Sequence, residues 1–303
     1  MANYRAKLRC RQLACPELEV NSQRRQKSNE KGPKGIKRPK KAEVNYLPLL
    51  PFGETKDTLE KERVELLTEV KKKNNEKIVA EKMDKTFSYR RLQVVEDCPA
   101  VQDFIESWPA LFSEHQIKEE FRRITTLHLK GTFLTKLDFY TPKLLKIFGK
   151  KGGVAGSTIK LMLDSFSEQN VEGRRDTIIR CLMEFLGEST EEVIKDYQDV
   201  SKDIVKDDYA GELMKIFVVR NSAAQGDANA GHVSIVIEET EVQDGCKSVS
   251  NACILLMGII YAMNLVYPPK VKYTFEVFQK LFLELNSQKV SPKVQTLRFK
   301  LLA

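Results

Sequence analysis

Histidine is scarce in this chain, with three residues in 303. That scarcity bears on catalysis at once, because imidazole is the side chain that changes charge near neutral pH and the commonest metal ligand. His115 opens a polar helical stretch, His128 sits in a link between helices and His232 stands at a strand start, and none has a sequence neighbour that makes it a base. No Gly-x-Ser-x-Gly string occurs, so the strand-to-helix elbow of serine hydrolases is missing. Cys10, Cys15, Cys98, Cys181, Cys246 and Cys253 include no pair with the two-residue gap that presents two thiolates to one metal or redox centre. Six scattered thiols behind an N-terminus without an apolar run read as reduced cysteines in the cytosol or nucleus. No catalytic residue, cofactor or metal is expected.

Long apolar runs are lacking too. The longest, ACILLMGIIYAMNLVY from Ala252 to Tyr267, falls short of the roughly 20 residues that cross a bilayer, and Gly258 and Asn264 interrupt it. A buried core helix is the expectation, with no membrane partner. Acidic excess is also missing: 50 Lys and Arg against 42 Asp and Glu give a net charge of +8. Residues 1–43 hold 13 of those cations and 4 of those acids, so the first segment carries +9 and everything after it −1. The basicity belongs to a tail, and the body is balanced in sum.

Residues 1–46 are polar, basic and punctuated by Pro16, Pro33 and Pro39, a composition that buries too little apolar surface to offset its conformational entropy. A disordered tail is expected there. No aromatic residue lies between Leu8 and Lys41, which argues against base stacking. Arg24 and Arg25, an eleven-residue spacer, and then Lys37, Arg38, Lys40 and Lys41 around Pro39 match a two-part nuclear import signal. Two extended basic clusters can fill separate acidic pockets of an import carrier, so such a carrier and weak, nonspecific nucleic-acid contact are the partners expected of the tail.

From Lys56 onward the apolar spacing is mostly helical. The proline-rich lead-in LPLLPFGET, from Leu47 to Thr55, is expected to lay its leucines and Phe52 across the domain surface. Short helices are expected in succession around Phe121 and Ile124, then Phe133 to Leu137, then Leu144 to Phe148. GKKGGVAG, from Gly149 to Gly156, lacks the Walker order of glycine, lysine and hydroxyl and reads as a turn between helices. Near residues 213–239 the period changes to that of a hairpin, LMKIFVVR and HVSIVIEE. The expected fold is mainly α (α+β): residues 47–303 form a multi-helix globular domain with a small β-hairpin, divided into lobes at about 56–187 and 188–303.

The strings NYRAKLR, KRPKKAEVNYLP, FGET, MDKTFSYRR, ESWPALF, EEFRRITT, GKKGG, IFVVR, the Ala252 helix, YPPKVKYTFEVFQKLFLEL and SPKVQTLRFKLL together resemble the sterile alpha motif domain-containing protein 3-like family of teleost fish. The resemblance implies the family's C-terminal region without the sterile alpha motif itself, since a 46-residue basic tail cannot form that five-helix module. It transfers no catalytic residue. A non-enzymatic protein-interaction domain, nuclear or cytoplasmic, is the resulting expectation. The rival reading is a nucleic-acid-binding protein or a metal-dependent nucleic-acid enzyme of mobile-element origin, the enzyme using Asp207, Asp208, Glu238, Glu239 and Glu241. The enzyme stands or falls on whether those carboxylates converge.

Overall fold

A computed structural model describes residues 46–220 and 231–302. These residues divide into two compact units: the first comprises residues up to Ala110 together with Tyr261–Val266, the second Leu111–Ile260 with residues from Tyr267 onward. The basic tail and the loop that joins the expected hairpin strands lie outside the described residues.

The first unit begins with a reversed turn at Pro51 to Glu54, closed by the Glu54 amide on the Pro51 carbonyl at 3.0 Å with Gly53 at φ +80°. Only a residue without a Cβ takes that left-handed conformation freely. Leu49, just before the turn, and Phe52 within it stand out in solvent, so the expectation that the lead-in lays them across the surface is corrected. Thr55 then caps α1 (Lys56–Glu69), accepting from the Thr58 amide while the Thr58 hydroxyl accepts from the Thr55 amide. Leu59 and Leu66, two turns apart, are its buried residues. Lys82 of α2 (Glu76–Lys85) reaches Glu62 and Glu65 at 2.7 and 2.6 Å, tying α2 to α1. Next come α3 (Phe87–Leu92), a π-helical turn at Gln93–Asp97 and α4 (Val101–Ser107), which ends at Trp108 as the following proline requires.

The second unit is built on helices and one sheet. α5 (Glu114–Thr125) is followed by α6 (Leu129–Gly149), a single 21-residue helix where short ones in succession were expected. Pro142 lies inside it and cannot donate to the carbonyl four residues back. Buried Phe133, Leu137, Leu144 and Phe148 carry the same face past that break, so packing overrides the local cost. α7 (Gly153–Leu163) and α8 (Val171–Phe185) follow the glycine-rich turn. A Cβ on Gly156 would meet the Lys151 carbonyl oxygen at 2.1 Å, so glycine serves a close backbone approach there.

The sheet has four strands in sequence order: β1 (Ile194–Gln198), β2 (Met214–Arg220), β3 (Gly231–Ile237) and β4 (Thr240–Cys246). The expected hairpin is β2 and β3, antiparallel with Met214 opposite Ile237 and Arg220 opposite Gly231. Two further strands flank it, β1 parallel to β2 and β4 antiparallel to β3. The short helix α9 (Lys202–Asp207) covers one face, where Val205 and Tyr209 pack on Phe217, Val219 and Val236.

The apolar run forms α10 (Val249–Ala262), whose residues up to Ile260 belong to the second unit; Ile254, Leu255, Leu256 and Met257 are wholly buried. No helix of the described residues is long and apolar enough to cross a membrane. α11 (Lys272–Val277) continues into a π-helical turn at Phe278–Phe282, where Phe278 and Phe282 meet Phe133 edge-on at 5.1 and 5.2 Å. α12 (Pro292–Leu302) buries Val294, Leu297 and Leu301, as its spacing predicts. The architecture is the mainly helical one expected, with a sheet twice as wide.

Candidate functional site

A cluster of titratable side chains with metal-ligand chemistry lies on the face of the sheet that α9 covers. Side chains alternate along β3, so His232, Ser234 and Val236 share that face, and the first two extend the apolar cluster into polar ground. The Tyr209 hydroxyl lies 3.3 Å from Ser234 Oγ and donates to Glu241 Oε1 at 3.1 Å. His232 Nε2 rests against the Asp244 carboxylate. Ligand atoms of His232, Glu241 and Asp244 all fall within 4.8 Å of one another, one nitrogen and two carboxylates.

Those residue types suit a divalent cation, yet a lysine occupies their centre. Lys202 Nζ lies 2.5 Å from Asp244 and 3.3 Å from Glu241. Burial pulls the Lys202 pKa down, but the Asp244 hydrogen bond and the Glu241 charge outweigh it and hold the ammonium above its ordinary range. Asp244 is likewise held below the usual carboxylate range, burial being outweighed by Lys202 and His232. The charge is therefore already compensated, and a metal would have to displace a strongly held ammonium.

The five carboxylates of the rival reading do not converge. Asp208 binds Lys195 Nζ at 2.7 Å and accepts from the Tyr197 hydroxyl. Glu238 and Glu239 form the tight β3–β4 turn at φ +53° and +65°. Asp207 ends α9, and only Glu241 joins the His232 group. Of the histidines, His115 and His128 are exposed.

A second concavity of about 440 Å³ opens between α8 and the opposite face of the sheet, lined by Asp176, Thr177, Arg180, Val218, Val233 and Ser248 among others. Several charged groups in and beside it are also engaged. Arg180 forks onto Asp196 at 2.7 and 2.9 Å. Asp176 accepts from the Val249 and Ser250 amides at 3.1 and 2.7 Å, and Glu172 accepts from the Ser248 and Ser250 hydroxyls at 3.1 Å. Asp176 thus satisfies two unpaired amides at the start of α10, and Glu172 holds the serine hydroxyls beside them. Burial pushes the Asp176 carboxyl up in spite of these bonds. Burial also drives the Cys181 and Cys246 thiols up to about 12 and Cys253 higher still, which removes thiolate character at neutral pH.

In the first unit the buried charges are arginines. Arg90 has no solvent exposure; it donates to Thr86 Oγ1 and the Met83 carbonyl at 3.0 Å, and its guanidinium lies 5.0 Å from the centre of the Trp108 ring. Trp108 Nε1 donates to Gln93 Oε1 at 2.8 Å. Arg91, equally buried, donates to the carbonyls of Tyr261 and Ala262 at 3.1 and 2.9 Å, capping the last turn of α10. The class so defined is a small helical unit locked by buried guanidinium groups.

Residues 59–113, which span α1 to α4, match the family model described as sterile alpha motif domain-containing protein 3, helical domain. The resemblance read from MDKTFSYRR and ESWPALF holds over this stretch, and those two strings supply Arg90, Arg91 and Trp108. The match leaves the sheet and the helices after α4 outside it. No curated protein and no solved structure matches the chain. Arg24, Arg25, Lys37, Arg38, Lys40 and Lys41 lie outside the described residues.

Proposed function

We propose that this chain acts by binding other proteins rather than by catalysis, as a folded body at residues 47–303 behind a basic tail at 1–46 that directs it to the nucleus. The observation that carries the reading is the exposure of Leu49 and Phe52, just before and within the turn that leads into the unit whose helices match the family's helical domain. Large apolar side chains exposed to water offer anchors for a partner's pocket, the usual centre of binding energy in an interface. The reactive residue types support the same reading from the other side. The carboxylates of the sheet are engaged by Lys202, Lys195 and Tyr209, those at α10 are taken up by its first amides and serine hydroxyls, and three thiols are dulled by burial. Arg24, Arg25, Lys37, Arg38, Lys40 and Lys41 are the residues of the proposed import signal, with an import carrier as their partner.

Affinity capture with the full chain against Leu49→Asp/Phe52→Asp tests the interaction surface. The reading expects a defined set of partners that the double variant, still folded, loses. An identical set captured by both would overturn it.

A further inference from the structure

The second unit has a charge asymmetry that its near-neutral sum conceals. Between Asp138 and Asp164 the sequence holds five lysines and no acid, and after Glu284 it holds three lysines and an arginine and no acid. The fold brings these two stretches together: Lys143 Nζ of α6 donates to the Leu301 carbonyl of α12 at 2.7 Å. Where they meet the end of α8, the cations surround aromatic rings. Lys151 and Lys300 Nζ lie 5.3 and 5.5 Å from the centre of the Phe185 ring. One helical face further along α12, Lys293 Nζ lies 4.6 Å from the Tyr273 ring, which Lys272 flanks at 4.8 Å. Both rings are half-buried and all four lysines exposed.

Glu184, the acid beside Phe185, is half-buried. Among the described residues no carboxylate pairs with Lys151, Lys272, Lys293 or Lys300. Glu188, the nearest acid in sequence to the Phe185 turn that is fully buried, spends its carboxylate on the Tyr273 and Thr274 amides at 2.8 Å and on the Thr274 hydroxyl at 2.7 Å. Clustered like charges repel, and they are kept together here at a cost that a polyanion would remove.

We propose that this face binds single-stranded nucleic acid, with phosphates at Lys151, Lys272 and Lys300 and unpaired bases against the rings of Phe185 and Tyr273, while Lys293 stays on the Leu186 carbonyl at 2.5 Å. Alternating cations and aromatic faces are what a strand of stacked bases and phosphates requires, without sequence preference. A duplex offers no base face to the rings. A bilayer surface is disfavoured because half-buried rings cannot insert into an acyl layer, whereas a base needs only the exposed part of a ring to lie against. The proposal concerns the folded body alone, so its failure leaves the protein-interaction reading standing.

The test is fluorescence anisotropy with a labelled 20-nucleotide mixed-sequence DNA strand over a range of salt. Every protein carries Lys37→Ala, Arg38→Ala, Lys40→Ala and Lys41→Ala, which weakens binding through the tail and leaves its remainder the same in all variants. Against a control with Lys61, Lys71 and Lys73 changed to Gln, Lys151→Gln/Lys272→Gln/Lys300→Gln is expected to bind at least about tenfold more weakly. Its slope of log affinity on log salt should be shallower by about 2, from three lost phosphate contacts at roughly 0.7 each for single strands. The corresponding Lys→Arg triple, which keeps the charge, should retain the slope and guards against a folding defect in the Gln variant. Equal affinity and slope for the Gln triple and the control would overturn the proposal. So would binding to phosphatidylserine vesicles with none to the oligonucleotide.

Discussion

Gly258 is the position where competing magnitudes decide the sign of a mutation. It lies inside α10, and alanine in a helix interior is favoured over glycine by about 1 kcal/mol from propensity alone. The structure opposes that gain. A Cβ at Gly258 would stand 2.5 Å from Ile117 Cγ2 on α5 and 2.8 Å from Leu129 Cδ2 on α6. The leucine methyl is the far end of a flexible side chain, but Ile117 Cγ2 is one bond from its own Cβ, its χ1 is held by the helix, and the residue is wholly buried. Overpacking of this kind costs about 1–3 kcal/mol. The net for Gly258→Ala is thus a loss of up to about 2 kcal/mol, or a melting temperature lower by as much as roughly 4–8 °C at 2–4 °C per kcal/mol in a body of this size. Thermal unfolding followed by circular dichroism reads it. A double-mutant cycle with Ile117→Ala should show a favourable coupling of at least about 1 kcal/mol, because removing the isoleucine makes room for the new methyl. A higher melting temperature for Gly258→Ala, with no coupling, would refute the claim that α10 is pinned by close approach.

Three further outcomes are expected. Arg91→Ala leaves the last carbonyls of α10 without their buried guanidinium and should cost about 3–5 kcal/mol in denaturant unfolding; Arg91→Lys, lacking the planar fork, should recover only part of it. Asp176 has a folded pKa raised by burial, so its native state holds the proton more tightly than the unfolded chain. Stability from that group is full below about pH 4, the unfolded carboxyl value, and is lost as pH rises through the folded one; the stability difference between the protein and Asp176→Asn, measured from pH 4 to 7, should therefore move in favour of Asn. Alkylation with iodoacetamide at pH 7.4 should spare Cys181, Cys246 and Cys253 in the folded protein and label them after denaturation, as peptide mass mapping would show.

What the sequence disclosed depended on where packing agreed with local pattern. The α10 run, the Trp108–Pro109 stop and the spacing Val294, Leu297, Leu301 all carried periodic apolar signals, and the structure follows them. β1 escaped notice because IKDYQ buries only Ile194 fully and carries two adjacent charges, Lys195 and Asp196, so nothing in it reads as a strand until β2 lies alongside. β4, TEVQDGC, contains a glycine and an aspartate and pairs irregularly with β3. The apolar clusters Phe133 to Leu137 and Leu144 to Phe148 read as separate short helices, and tertiary contacts keep them as one helix through Pro142. The site residues were least legible. Arg90 and Arg91 look like surface cations in the string FSYRR, and only the fold reveals them as core. Lys202 stands some forty residues before Glu241 and Asp244, and no spacing rule joins it to them or to His232. The two acid-free stretches around residues 140–163 and 285–302 were visible as composition, but their meeting was not, since the charge of the body sums to nearly zero.

The measurement that tests the account most directly is the location of a fluorescent reporter fused to residues 1–46, compared with the same fusion carrying Lys37→Ala, Arg38→Ala, Lys40→Ala and Lys41→Ala. The account predicts nuclear accumulation of the first and an even distribution of the second, with Arg24→Ala/Arg25→Ala intermediate because one of two carrier pockets is still filled. An unchanged distribution after the fourfold replacement would contradict it.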